Sequence, residues 1–319
     1  MITKFQFVYF CLFLTFINMG LVNESTADEP KVLRVMTFNL WHGGDAGGQP
    51  IERSAAVIRA ARADIIGLQE TAGYAQEGVR PDHARVLAKL LGFHYFDQGG
   101  RTAVLSRYPI QNSTPSKWGV EIEVPEFGSI YLFNAHLSPA PYQPYQLLSI
   151  PYHNGKFIKT EEEAVAEAKA ARGGQVERLL AEIRPVLADG HVVFLTGDFN
   201  EPSHLDWTKA VVHARHCPVA VQWPTSSAII QVGLQDGFRT VYNDPVSHRG
   251  LTWTPLTNGN DPKDHHDRID IVYSFKQATA VSAAVVGESN DYANIVVKDY
   301  PSDHRAVVVE FEVQNKNTE

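Results

Sequence analysis

Apolar runs closed by short polar groups recur along this chain. Val32 to Phe38 (VLRVMTF) predicts a buried strand that ends at Asn39. Ile51, Ala55, Ile58 and Ala61 or Arg62 stand at helical spacing with Pro50 near the start, which predicts a helix over 51–62. A tight link leads to a second strand, Asp64 to Leu68, which ends at Gln69-Glu70. Strand, helix and strand joined this closely predict α/β architecture.

The pattern continues with a short helix over 81–91 and strands near 93–96, 102–106, 119–124 and 129–137. Gly, Pro, Asn and Ser punctuate the strands, and the run reads as antiparallel. Residues 138–159 are rich in Pro, Tyr and Gln without clean periodicity, and read as a long ordered loop. Thr160 and Glu163 then form a capping box. The helix after it carries Ala164, Val165, Ala168, Val176, Leu179, Leu180 and Ile183 before Pro185. Gly173-Gly174 costs about 1 kcal/mol per glycine against alanine. A kink or a close helix–sheet contact would account for it. The apolar run 191–196 predicts a buried strand, followed by a helix over 204–215 and strands near 251–254, 268–274, 279–287 and 304–312. No internal repeat or linker-like stretch follows residue 30, so one domain over 28–319 is expected.

At 319 residues and 44% hydrophobic the chain can bury a large core, and 20% charged residues argue against disorder. Lys4, the uncharged apolar stretch 5–19 and Ser25-Thr26-Ala27 read as a secretory signal cleaved near Ala27. The stretch falls short of the ~20 residues that span a bilayer, and no later segment is apolar enough, so the mature chain is expected to lack a transmembrane segment. Lys4 and Glu24 cancel, leaving the mature chain at the formal −8 of the whole. No global basic field draws in nucleic acid, although a metal and a local patch can hold a phosphate on an acidic protein. Of two cysteines, Cys11 falls in the signal, so Cys217 has no intramolecular disulfide partner and reads as a packed thiol. Export without disulfides fits a bacterial secreted or periplasmic protein.

The polar groups that close the apolar runs are Asn39, Gln69-Glu70, Asn134-Ala135-His136, Gly197-Asp198-Phe199-Asn200, Asp267-Arg268-Ile269-Asp270 and Ser302-Asp303-His304. Their carboxylates, amides and imidazoles, gathered by strand ends, suit a metal-dependent attack on a phosphate ester. Asp198 and Asn200 offer a base and a steadying amide, or else a strand-end Asx turn. Glu70 can bind a hard cation. Asp270, placed by alternation among buried groups, needs a partner, and an imidazolium is a natural one. His136 is a catalyst or a satisfied core histidine, and Asn39 taken alone is a turn residue.

In this order the motifs resemble those of the endonuclease/exonuclease/phosphatase superfamily, over about residues 32–312. The resemblance implies a four-layer α/β sandwich with two packed central mixed β-sheets, and a monomer is expected. It implies a Mg²⁺- or Mn²⁺-dependent phosphoesterase acting by in-line attack of water, and the signal-like N-terminal stretch makes a secreted one the expectation. Glu70, Asn39 and Asp303 would lie at the metal, Asp198 and Asn200 at the attacking water, and His304, held by Asp270, at the phosphoryl oxygens. His136 would act as general acid or phosphate ligand. Asn39, Asn134 and Arg268 are candidates for contacting substrate.

Departures from the well-known branches leave the substrate open. They are Trp41-His42-Gly43-Gly44, the 138–159 segment with Tyr142, Tyr145 and Tyr152, and Lys263-Asp264-His265-His266-Asp267. The tyrosines offer a stacking or lipid-facing surface, or pack the loop down. His265 and His266 touch substrate or a second metal, or lie in a solvated loop. A phosphodiesterase or nuclease leads, with a phosphomonoesterase and a sphingomyelinase-like enzyme behind it. A catalytically silent phosphate-binding protein is weakened because every expected position is filled. Zinc chemistry is disfavoured by the oxygen-rich set.

Overall fold

The computed structural model describes residues 32–313 apart from 126 and 276. The expected signal segment lies outside the described residues. In chain order the strands are β1 (Val32–Asn39), β2 (Ile65–Gln69), β3 (His94–Gly99), β4 (Thr102–Ser106), β5 (Ile110–Ser113), β6 (Gly119–Val124), β7 (Gly128–His136), β8 (Val192–Asp198), β9 (Gln235–Asp236), β10 (Asp270–Ser274), β11 (Ala278–Gly287), β12 (Ile295–Val296) and β13 (Ala306–Val313). The helices are α1 (Ile51–Ala61), α2 (His83–Leu91), α3 (Gln143–Leu148), α4 (Glu161–Ala188), α5 (Lys209–His213), α6 (Pro224–Gln231) and α7 (Gly237–Val241).

The strands form a seven-stranded sheet, ordered β12-β11-β13-β1-β2-β4-β3, and a six-stranded sheet, ordered β5-β6-β7-β8-β10-β9. Both are mixed, because β1 with β2, β11 with β12 and β7 with β8 run parallel while β1 with β13 and β8 with β10 run antiparallel.

The alternation of side chains along each strand explains where the chemistry goes. On β1, Leu33 and Val35 pack into the gap between the sheets with Ile65, Leu132, Phe194 and Val272. Met36 and Phe38 point the other way, onto α1 and α2 with Ile58 and Leu87. On the far side, Phe133, Val193, Leu195 and Ile271 pack against Val176, Leu179 and Ile183 of α4. The result is helix, sheet, sheet, helix, the expected four-layer sandwich.

The inward positions change character toward one end of the gap. Leu33 and Val35 give way to Thr37 and Asn39, Phe194 to Thr196 and Asp198, and Leu132 to Asn134 and His136. Here hydrogen bonds join the sheets. Gln69 of β2 donates to Asn134 Oδ1 of β7 at 2.6 Å, and Asn134 Nδ2 donates back to the Leu68 carbonyl at 3.0 Å. The sheets approach so closely that a Cβ at Gly67 would overlap Thr196 Oγ1 and Asn134 Oδ1.

Several expectations need correction. The strands between 93 and 137 pair antiparallel as expected, but they divide between the sheets: β3 and β4 end the first, and the chain crosses at 107–109 to begin the second with β5. Residues 138–159 are not all loop, since they contain α3. The capping box at Thr160 and Glu163 is present, and α4 continues through Pro185, which lies in its last turn. Gly173 and Gly174 mark neither kink nor sheet contact, because an added Cβ would meet only Lys169 at 4.0 Å and Arg178 at 3.7 Å. The helix expected over 204–215 shortens to α5, and 251–254 contributes only isolated bridges from Trp253 to Asp267 and His304. No helix among the described residues is long and apolar enough to cross a membrane.

Candidate active site

Strand register assembles the polar end of the gap. His136 of β7 and Asp270 of β10 both pair with Asp198 of β8, one on each side. Asn39 approaches from the opposite sheet and its Nδ2 donates to Asp198 Oδ2 at 2.9 Å. His136 Nε2 stands 3.5 Å from the same oxygen and 3.9 Å from Glu70 Oε1. His304, just before β13, is 2.9 Å from Asp270 Oδ2 through Nδ1 and 3.7 Å from Asp198 Oδ2 through Nε2. Asp198 is thus buried among two imidazoles and an amide.

The electrostatics follow from burial. Desolvation pulls the His304 imidazole down, but the Asp270 and Asp198 carboxylates outweigh it and hold His304 well above the usual histidine range. Burial pushes the Asp303 carboxyl up to about 7; His304 opposes the rise, while Glu70 and Asp198 add to it. Asp303 Oδ1 is buried without a hydrogen-bond partner.

These groups fit a hard divalent cation. Glu70 and Asp303 offer carboxylate oxygens on the same cavity, and one of those oxygens is buried and unpartnered. Asp198, Asp270 and His304 also lie close enough to share an ion. In that set His304 Nδ1 is engaged by Asp270 at 2.9 Å, while its Nε2 stands 3.7 Å from Asp198.

The cavity measures about 170 Å³ and is lined by Glu70, His136, Asp198, Asn200, Asp303 and His304, together with Trp41, Tyr142, Tyr145, Tyr152 and Trp253. Asn200 reaches it differently from the extended chain expected. Its φ of 49° is left-handed, its N–H donates to Asp198 Oδ1 at 3.0 Å, and its Nδ2 donates to the Leu137 carbonyl at 3.0 Å. The Asx turn and the cavity position coexist.

Three expected site residues do not line the cavity, although one of them, Asn39, bonds Asp198 within the site. Asn39 is fully buried, its Nδ2 engaged by Asp198 and its Oδ1 accepting the Trp41 N–H at 3.0 Å, so it orients Asp198 and does not line the cavity. Asn134 joins the sheets, donating to the Leu68 carbonyl and Gln98 Oε1 and accepting from Gln69. Arg268 is 1% exposed and bonds Asp206 and Asp236 on the far side of Ile269, which turns it away from the cavity. A guanidinium beside a motif aspartate looks like a phosphate ligand in sequence; two distant carboxylates claim it in the fold.

The aromatic wall had a weaker signal. Tyr142 donates to Asp267 at 2.7 Å, Tyr145 donates to Asp264, and Trp253 Nε1 donates to the Tyr145 hydroxyl at 3.0 Å. Rings of Tyr142, Tyr145 and Tyr152 meet edge to face, and Trp253 lies 4.9 Å from the His304 ring. The tyrosines therefore both pack the segment and line the cavity. The Tyr152 hydroxyl has no hydrogen-bond partner among the described residues. It lines the same cavity as Glu70, Asp198 and Asp303, and burial together with those carboxylates raises its pKa. Trp253 sat in a stretch read as strand, with nothing polar to mark it. His265 and His266 do not line this cavity: His265 lies 3.5 Å from Asp267, and His266 is buried, so the loop is not solvated there.

Arg172 anchors the wall. It is fully buried and bonds Glu201 at 3.1 Å, the Ser138 carbonyl at 3.1 Å, the Pro141 carbonyl at 3.3 Å and Gln143 Oε1. One cation on α4 thereby fixes the start of the 138–159 segment.

Two stacked mixed sheets with carboxylates and imidazoles gathered at their strand ends define a class of phosphate-ester chemistry sites. The chain belongs to the endonuclease/exonuclease/phosphatase family, whose model matches residues 36–304. An uncharacterized protein of Caenorhabditis elegans is 26% identical, over 94% of this chain and 98% of that protein. Among solved structures, an endonuclease/exonuclease/phosphatase from Beutenbergia cavernae superposes with a TM-score of 0.54 at 22% identity, covering 88% of this chain and 72% of that one. Truncated TDP2 from Caenorhabditis elegans gives 0.53 at 18%, covering 88% and 98%. A phosphatase, NExo from Neisseria bound to a product DNA hairpin, gives 0.54 at 16%, covering 88% and 99%. At these identities the structural likeness speaks for the fold.

Proposed function

We propose that this chain is a divalent-metal-dependent phosphoesterase that hydrolyses a phosphodiester by in-line attack of water. The observation that carries the reading is the clamp on Asp198, whose Oδ2 lies 2.9 Å from Asn39, 3.5 Å from His136 and 3.7 Å from His304. A buried carboxylate held on several sides is oriented to take a proton from one direction. His304, kept cationic by Asp270, faces the cavity where negative charge would grow on phosphoryl oxygens. His136, between Asp198 and Glu70, is placed to bind a phosphoryl oxygen or protonate a leaving group. Glu70 and Asp303 would hold Mg²⁺ or Mn²⁺, and such an ion when bound neutralises phosphate charge. We also propose that residues 1–27 direct export of the chain, to the periplasm or outside the cell; the support is the apolar stretch 5–19 followed by Ser25-Thr26-Ala27. A mature amino terminus far from Ala27 would overturn that part.

The test uses protein beginning at Asp28. Bis-p-nitrophenyl phosphate, plasmid DNA, RNA, sphingomyelin and sugar phosphates are screened with Mg²⁺, with Mn²⁺ and with EDTA. Asp198→Asn and His304→Ala run beside the parent, and each should lose at least about a hundredfold in rate. Parental rates in both variants, or full activity under chelation, would overturn the assignment. Release of inorganic phosphate from sugar phosphates alone would make it a monoesterase, and cleavage of sphingomyelin alone a lipid phosphodiesterase.

A further inference from the structure

Among the described residues, the site described above is lined by five large aromatic residues and by no lysine or arginine. The rings come from three separate parts of the chain: Trp41 after β1, Tyr142, Tyr145 and Tyr152 from the 138–159 segment, and Trp253 from the loop before β10. Tyr142 and Tyr145 are buried and held by Asp267 and Asp264, so they serve as backing. Trp41, Tyr152 and Trp253 are only partly buried and offer ring surface to the cavity. Tyr74, half exposed, sits 5.3 Å from the ring of His42, another lining residue, and carries the aromatic surface outward.

The absent cations matter as much as the rings. A protein that holds a polynucleotide places Lys and Arg against the phosphates flanking the scissile one. Here the buried arginines are engaged elsewhere: Arg172 with Glu201, Arg239 and Arg268 with Asp206, and Arg305 with Glu288. The chain as a whole carries −8. A single phosphate needs no more than the histidines and the ion that Glu70 and Asp303 suit. Its substituent then meets aromatic faces, which favour flat rings through stacking. A quaternary ammonium also suits aromatic faces. Phosphocholine carries that group and is therefore the competing ligand in the test.

We propose that the cavity selects a small phosphate ester that carries a planar ring on an organic substituent, and that it does not take a polynucleotide. This rests on the phosphoesterase reading of the same site, and binding is measured so that the two fail separately. Phosphonates carry a carbon–phosphorus bond that hydrolysis of an ester leaves intact. The protein beginning at Asp28 is titrated calorimetrically with benzylphosphonate, methylphosphonate, phosphocholine and a short duplex oligonucleotide, each in excess Mg²⁺ or Mn²⁺. Benzylphosphonate should bind at least about tenfold more tightly than methylphosphonate, and more tightly than the other two. Trp41→Leu should bring the benzyl-to-methyl ratio close to one. A ratio near one in the parent would overturn the proposal, as would tighter binding of phosphocholine or of the duplex. A protein that binds with the expected ratio yet hydrolyses no ester would instead sink the catalytic reading and leave the ring selectivity standing.

Discussion

Asn39 Nδ2 and Asp198 Oδ2 meet at 2.9 Å across the gap between the two sheets, one residue from each. The bond holds the carboxylate and also closes the sandwich at its polar end. Asn39→Ala leaves a buried carboxylate short of a donor, a loss of about 1–3 kcal/mol. Thermal unfolding should shift downward accordingly. Turnover should fall at least about tenfold while KM changes little, because the amide orients a group that acts in the transition state. Unaltered turnover in a folded variant would remove Asn39 from the catalytic arrangement.

Arg172 and Glu201 form an ion pair with both side chains at 0% exposure. Glu201→Leu strands a buried guanidinium, which costs about 3–5 kcal/mol. The double variant Arg172→Met with Glu201→Leu should recover much of that stability in urea denaturation. It also removes the bonds to the Ser138 and Pro141 carbonyls, so substrate affinity should fall even where stability returns. Full recovery of both would show that the clamp does not position the wall.

Arg268 tests the opposite outcome. Its guanidinium bonds Asp206 and Asp236, and those carboxylates hold it charged, well above the usual range, against the pull of burial. Arg268→Met should destabilise by about 3–5 kcal/mol. With the variant kept folded at low temperature, KM for the best substrate should stay within about twofold of the parent. A large rise in KM would return Arg268 to the substrate.

Cys217 gives a prediction about pH. Burial pushes its thiol from an ordinary value of 9.0 up to about 12, with Asp267 adding to the rise and Arg249 opposing it. Between those values the folded chain keeps a proton that the unfolded chain has lost. Folded stability therefore falls as pH rises through that window. In protein lacking residues 1–27, iodoacetamide at pH 9 should label Cys217 at least about a hundredfold faster in denaturing urea than in buffer. Comparable rates would mean that the thiol is open to solvent.

Much of the fold was legible because burial imposes a period. β1, β2, β7 and β8 are apolar on two faces, and their polar ends announced Asn39, Glu70, His136 and Asp198. That Asp270 needs a partner was readable from its burial, and the family resemblance, not the burial, named His304 as that partner. The roles of Asn134 and Arg268 were not readable, since they depend on which distant groups the fold brings near. Gln69 and Thr196 lie 65 and 62 positions along the chain from Asn134, and Asp206 lies 62 from Arg268. The short elements α3, α6, α7, β9 and β12 were hidden for a related reason. A segment of two to eight residues shows too little periodicity to reveal itself.

The carboxylates and imidazoles of the cavity stand at or beside strand ends, while the start of the 138–159 segment is held by a single cation on α4. These are separate foundations. The 138–159 stretch begins on that guanidinium, whereas His136, Asp198 and Asp270 rest on the register of β7, β8 and β10. A scaffold divided in this way can acquire new specificities by grafting, one recognition surface at a time.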